Sequence, residues 1–123
     1  MSERVAFEYA LLRVVPRIER GEAINAGVIV YCKALDFLGA RVQLDTRKLA
    51  VIDADSCAKD VQAALAAAAE CTPRGDDSIG QRFRWLTAPR STVVQPSVIH
   101  TGVTTDPERE LEHLFSRLVL PTN

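Results

Sequence analysis

Two long β-forming runs joined by a short charged connection constrain this chain more than any other feature. Residues 5 to 15 (VAFEYALLRVV) are β-branched, aromatic and apolar, carry no helix cap, and stop at Pro16, which cannot donate to a ladder. Such a run predicts a strand largely buried on both sides. The connection from Pro16 to Ala23 holds Arg17, Glu19, Arg20, Gly21 and Glu22, and a second apolar run follows over Ile24 to Cys32. Gly27 inside that run predicts a bulge or a close backbone approach. Residues 37 to 45 alternate, with Leu38, Ala40, Val42 and Leu44 on one side and Gly39, Arg41, Gln43 and Asp45 on the other. A third strand with one wet face is the expectation. Connections this short favour an antiparallel meander over parallel βαβ units, whose crossovers need about a dozen residues or more.

Beyond Asp45 the period changes. A short helical turn is expected over Thr46 to Val51, and Asp55 or Ser56 can cap a longer helix running to about Cys71, ahead of Thr72 and Pro73. Cys57, Val61, Ala64, Leu65 and Ala68 form its apolar stripe, so Cys57 and Cys71 read as small core residues. Residues 73 to 80 read as a loop. Gln81 to Thr87 fits a helical face and a strand alternation, with the helix favoured and ended before Pro89. Thr92 to Val103 reads as a fourth strand, which Pro96 confines to an edge or a bulge. Asp106 as N-cap, Pro107 at the first helical position, and Leu111, Leu114, Phe115 and Leu118 at helical spacing predict a final amphipathic helix. The expected architecture is a two-layer α+β domain over residues 1–123: a mainly antiparallel sheet of about four strands with helices on one face, in the order β-β-β-α-(α)-β-α.

Composition supports one soluble domain and excludes some functions. The chain has 123 residues, 47% apolar and 25% charged, and a formal net charge of −1. That balance excludes polyanion binding by bulk charge and an acidic solvating tail. Three cysteines without CxxC spacing suggest neither a disulfide framework nor a zinc clip, and fit a reducing cytoplasm. No apolar run reaches the length of a membrane span. No Walker A loop, GxGxxG, HExxH, GxSxG or EF-hand spacing occurs, so no cofactor is implied. The only two histidines, His100 and His113, lack a clustered carboxylate, which argues against a metal site.

The charge is segregated along the chain. Residues 78 to 105 contain no Asp, Glu or Lys but hold Arg82, Arg84 and Arg90, a local +3 against −4 over the remainder. Around these arginines stand Trp85, the only tryptophan, and Ser91, Thr92, Gln95, Ser97, His100 and Thr101. Guanidinium forks suit phosphate or carboxylate, hydroxyls can complete an anion pocket, and an exposed tryptophan can stack on a base. The bland alternative puts Trp85 in the core and pairs the arginines with acids such as Glu19 and Glu22. Arg-rich usage, at 12 of the 15 basic residues, also fits codon bias.

The stretches RGEAINAGVIVYC (Arg20 to Cys32), FLGAR (Phe37 to Arg41) and QRFRWLTAPRSTVVQPSVIHTG (Gln81 to Gly102) resemble the bacterial domain-of-unknown-function family three-zero-three-seven. The similarity spans nearly the whole chain. It implies a small stand-alone bacterial protein of unassigned activity, and it supplies no catalytic residues to carry over. It also implies genes lying beside a HipA-like kinase, and hence a protein partner such as that kinase, or a toxin-associated role.

Three functional expectations follow. The first is a non-catalytic binding or accessory module in which Arg82, Arg84, Trp85, Arg90, Gln95 and His100 recognise an anionic group, such as a phosphate of a nucleic acid or nucleotide, or an acidic protein surface. The second is a hydrolase or phosphoryl-handling enzyme with His100 as acid or base, Ser91 or Thr92 as nucleophile or orienter, and Arg90 as clamp. The third is a structural partner that adds the apolar edge around Val98 to a foreign sheet.

Overall fold

A computed structural model describes residues 3–121 and has an α+β architecture. Five strands form one antiparallel sheet: β1 (Val5–Val14), β2 (Ile24–Cys32), β3 (Phe37–Val42), β4 (Val94–Pro96) and β5 (His100–Thr104). Four helices accompany them: α1 (Thr46–Ile52), α2 (Ala58–Ala68), α3 (Ile79–Leu86) and α4 (Pro107–Leu118). The sheet order is β3-β2-β1-β4, with β5 also paired to β1. The meander of the first three strands is as the sequence predicts.

The anticipated fourth strand is divided in two. Pro96 lies opposite Leu12 and ends β4, and pairing resumes at His100 opposite Tyr9. Across the break the Leu11 main-chain N–H donates to Ser97 Oγ at 2.8 Å, while the Ser97 N–H donates to the Leu11 carbonyl at 2.8 Å. The hydroxyl thus replaces a ladder acceptor that the interrupted strand does not supply.

Helices cover both faces of the sheet, not one. α1, α2 and α3 bury Leu49, Val61, Leu65, Phe83 and Leu86 against Leu12, Val14, Ile29, Tyr31 and Val94. α4 packs Leu111 and Phe115, with Val119 just after it, on the opposite face against Phe7, Val28, Val30 and Cys32. The cause lies in β2, where every residue except Asn25 is buried, so both of its sides need a cover. The expected wet face of β3 is half covered for the same reason. Arg41 ion-pairs with Glu112 of α4 and lies over the Phe115 ring at 4.6 Å from its centroid.

A bulge in β2 sets which residues face which layer. Leu12 is opposite Gly27 and Arg13 opposite Asn25, leaving Ala26 as the extra residue. Side-chain parity therefore flips, and Ile24 and Ala26 join Ile29 and Tyr31 in the same core. Gly27 is also a close approach: a Cβ there would stand 2.8 Å from Val42 Cγ1 and 3.1 Å from the Arg41 carbonyl oxygen.

The helix starts follow local chemistry. Ser78 and Gln81 form a reciprocal capping box, so α3 begins two residues before the expected Gln81. α2 begins after Cys57, whose side chain is exposed and not in the core as its spacing suggests. Its approach is held by Asp53, which accepts from the Ser56 hydroxyl at 2.9 Å. That bond is the main reason the Asp53 carboxyl titrates below its ordinary value. At α4, Asp106 accepts from the Arg109 N–H at 3.2 Å, with Pro107 in the first turn. Asp106→Ala is expected to lower stability by about 1 kcal/mol in urea unfolding, because it orphans that donor.

Candidate functional site

Two of the three arginines of the acid-free segment, Arg82 and Arg90, gather around one ring, and all three are already engaged. Trp85 is half-exposed on α3, and the guanidinium carbons of Arg82, Arg90 and Arg74 lie 4.6, 4.8 and 5.5 Å from its ring centroid. Arg82 is buried and donates twice to the Glu70 carbonyl, from Nε at 2.8 Å and Nη2 at 2.6 Å. Arg90 donates to the Trp85 carbonyl at 2.5 Å and to the Ala88 carbonyl at 3.3 Å. Arg84 points elsewhere, 3.8 Å from a Glu8 carboxylate oxygen. Glu19 and Glu22, the acids considered as partners for this segment, instead pair with Arg17 and Arg20. Arg74 was not singled out in the sequence, since it sits beside Asp76 and Asp77, outside the acid-free stretch.

Arg82 is therefore a structural cation. Replacing it with Met leaves the Glu70 carbonyl without its donors, and a loss of about 1–3 kcal/mol is expected from thermal or urea unfolding. Arg84→Met, at an exposed pair, should move stability by no more than about 0.5 kcal/mol.

His100 is separated from the proposed hydroxyl partners by the sheet itself. It is exposed on β5 and stacks on Tyr9 at 5.1 Å between ring centroids, on the α4 face. Arg90 and Thr92 line a shallow groove on the other face with Trp85 and alanines of α2, and Thr92 Oγ1 donates to the Val94 carbonyl. Ser91 lies between Arg90 and Thr92 on the exposed connection to β4. The arrangement of His100 with Ser91 or Thr92 and Arg90 is not assembled. Gln95 lies in register with Arg13 of β1, away from the Trp85 cluster.

A concavity lies at the end of the sheet where β2 begins. A cleft of about 600 Å³ is bounded by Ile24 and Asn25 of β2, by α1, and by the last turn of α4 and the residues after it. Three cations line it: Arg47 and Lys48 from α1, and Arg117 from α4. No Asp or Glu lines it, and none of the three forms an ion pair among the described residues. Asp45 starts α1 and is engaged by the main-chain N–H groups of Arg47 and Lys48, both at 3.1 Å. The Asn25 amide donates to the Leu118 carbonyl at 3.2 Å, tying β2 to the end of α4.

Two separated sequence motifs meet beside this cleft. Asn25 from the RGEAINAG stretch and Gln95 from the TVVQPS stretch both lie in register with exposed Arg13, one on each side of β1. Cross-strand partners share a face, so a cation flanked by two amides continues the positive surface. Arg13, Arg47, Lys48 and Arg117 were all missed in the sequence because they come from three separate regions and converge only through the fold.

Other chemistry is sparse. Burial raises the Cys71 thiol to about 11, with the Glu70 charge adding to the effect and Arg82 opposing it. A thiol so shifted is scarcely ionised at neutral pH and is a poor nucleophile. Among the described residues, no three His, Cys, Asp or Glu side chains come together as metal ligands. None of the described helices is long and apolar enough to cross a membrane.

Comparison with known families gives a match over most of the chain. The family described as "Protein of unknown function (DUF3037)" matches residues 9–119. No curated protein and no solved structure matches the chain.

Proposed function

The chain belongs to the DUF3037 family of proteins of unknown function, and we propose that it is a binding module that recognises an anionic group at the cleft between α1, β2 and the end of α4. One observation carries the reading: three cations line a cleft of about 600 Å³ that no Asp or Glu among the described residues lines. Surface cations are usually balanced nearby, as Arg17, Arg20, Arg41 and Arg84 are here. Like charges sharing a cleft repel, and an anion entering it relieves that repulsion while gaining charge-assisted hydrogen bonds. Arg13 with Asn25 and Gln95 extends the surface for a larger ligand. Arg74 and Arg90 over the Trp85 ring form a second positive area, in which Arg90 is partly used by main-chain carbonyls. Pyrophosphate, titrated calorimetrically, is the simplest probe. The reading expects binding that weakens as salt rises, since partly exposed charges are screened. The absence of binding at low salt would refute it.

A second reading, a structural partner of another protein, is favoured by the outer edge of the sheet. No charged residue occurs between Arg90 and Asp106, and Val98 and Val103 are 75% and 57% exposed. Unguarded edges of this kind accept a foreign strand. The family resemblance suggests a HipA-like kinase as the partner. Coexpression with such a kinase, comparing the native chain with Val103→Lys, tests this reading; equal retention of the kinase by both would count against it.

A further inference from the structure

We infer that the ligand of the cleft is a small organic anion with an apolar body, a carboxylate or phosphate monoester carrying an aliphatic or aryl group. This rests on the reading of the cleft as an anion site. Its walls supply the reason. Arg47 and Val51, and likewise Lys48 and Ile52, are four residues apart on α1 and all four line the cleft, so each cation stands one turn from an apolar side chain. Arg117 is followed by Leu118, Val119, Leu120 and Pro121, which repeat the same sequence of charge and then apolar surface on the opposite wall. Val51 is 85% exposed, an unusual position for a β-branched side chain unless something apolar covers it.

A bare inorganic ion would satisfy the cations and leave this apolar surface wet. A nucleotide fits less well, because among the described residues no aromatic side chain lines the cleft for a base to stack on and no Asp or Glu lines it to hold a ribose hydroxyl. The volume lies within the roughly 300–1,000 Å³ typical of small-molecule sites. Cations and apolar side chains sharing one cleft select a ligand with its charge at one end.

The test compares octanoate, acetate, 1-octanol, phenyl phosphate and inorganic phosphate by calorimetry and by amide chemical-shift changes, below the micelle concentration of octanoate. Octanoate is expected to bind at least about tenfold more tightly than acetate, and also more tightly than 1-octanol, since both the buried methylenes and the head group contribute. Phenyl phosphate against octanoate then distinguishes the two head groups. Val51→Ser, an exposed change, should abolish most of the octanoate advantage and leave pyrophosphate binding unchanged. Equal affinity for octanoate and acetate, with pyrophosphate still bound, overturns this inference and leaves the anion site standing. Failure of every anion to bind overturns both, and octanol binding as tightly as octanoate overturns the requirement for charge.

Discussion

Phe83→Ala is expected to destabilise the fold by about 3–5 kcal/mol, a large share of the total stability of a domain this size. Phe83 is wholly buried and stacks on Tyr31 at 5.2 Å between ring centroids, fixing α3 to the sheet. It sits in the same core as Leu65 of α2, Leu86 of α3 and Val94 of β4. Truncation leaves a cavity bounded by two layers that cannot both collapse into it. The urea midpoint should fall sharply with little change in slope. A loss below about 1 kcal/mol would mean that α3 is not anchored through this ring.

The second large effect concerns binding and not stability. Replacing Arg47, Lys48 and Arg117 together with Gln is expected to weaken pyrophosphate binding by at least about a hundredfold, since a charge-assisted hydrogen bond is worth roughly 1.5–3 kcal/mol. Its salt dependence should flatten at the same time. All three side chains are exposed and without ion pairs among the described residues, so the fold should be nearly unaffected. Unfolding midpoints of the native and triple-substituted chains provide that control. The contrast with Arg82→Met is informative, because that change should lower stability and leave cleft binding intact.

Much of the fold is legible in the residues, for reasons that can be named. Val5 to Val14 and Ile24 to Cys32 declare themselves as strands by continuous apolar character, and Asp106-Pro107 declares the start of α4 by cap chemistry. The distribution of helices over both faces was implicit in β2, whose unbroken apolar run can be buried only by a cover on each side. The bulge at Ala26 was hidden, because one inserted residue reverses the parity on which alternation arguments depend. Pro96 marked the trouble in the fourth strand, but not that Ser97 Oγ would bridge the break.

The site was harder to read than the fold. The acid-free stretch drew attention to Arg82, Arg84 and Arg90, yet burial and main-chain carbonyls claim Arg82 for the structure. Linear charge bias shows where acids are missing along the chain, not where they are missing in space. Arg47 and Lys48 follow Asp45, and Arg117 follows Glu112 by five residues, so their neighbourhoods look balanced in the sequence. In the fold Asp45 caps α1 and Glu112 pairs with Arg41, which leaves the cleft positive. His100 was placed with the hydroxyls by proximity in sequence, and the strand it occupies turns it to the other face.

The most direct measurement is an amide chemical-shift titration of the isotopically labelled native chain with pyrophosphate at low salt. Saturable shifts concentrated at Ile24, Asn25, Arg47, Lys48, Arg117 and Leu118, reversed by added salt, are expected from an anion seated in the cleft. Shifts confined to Arg84, Trp85 and Arg90, or none at all, would contradict that placement.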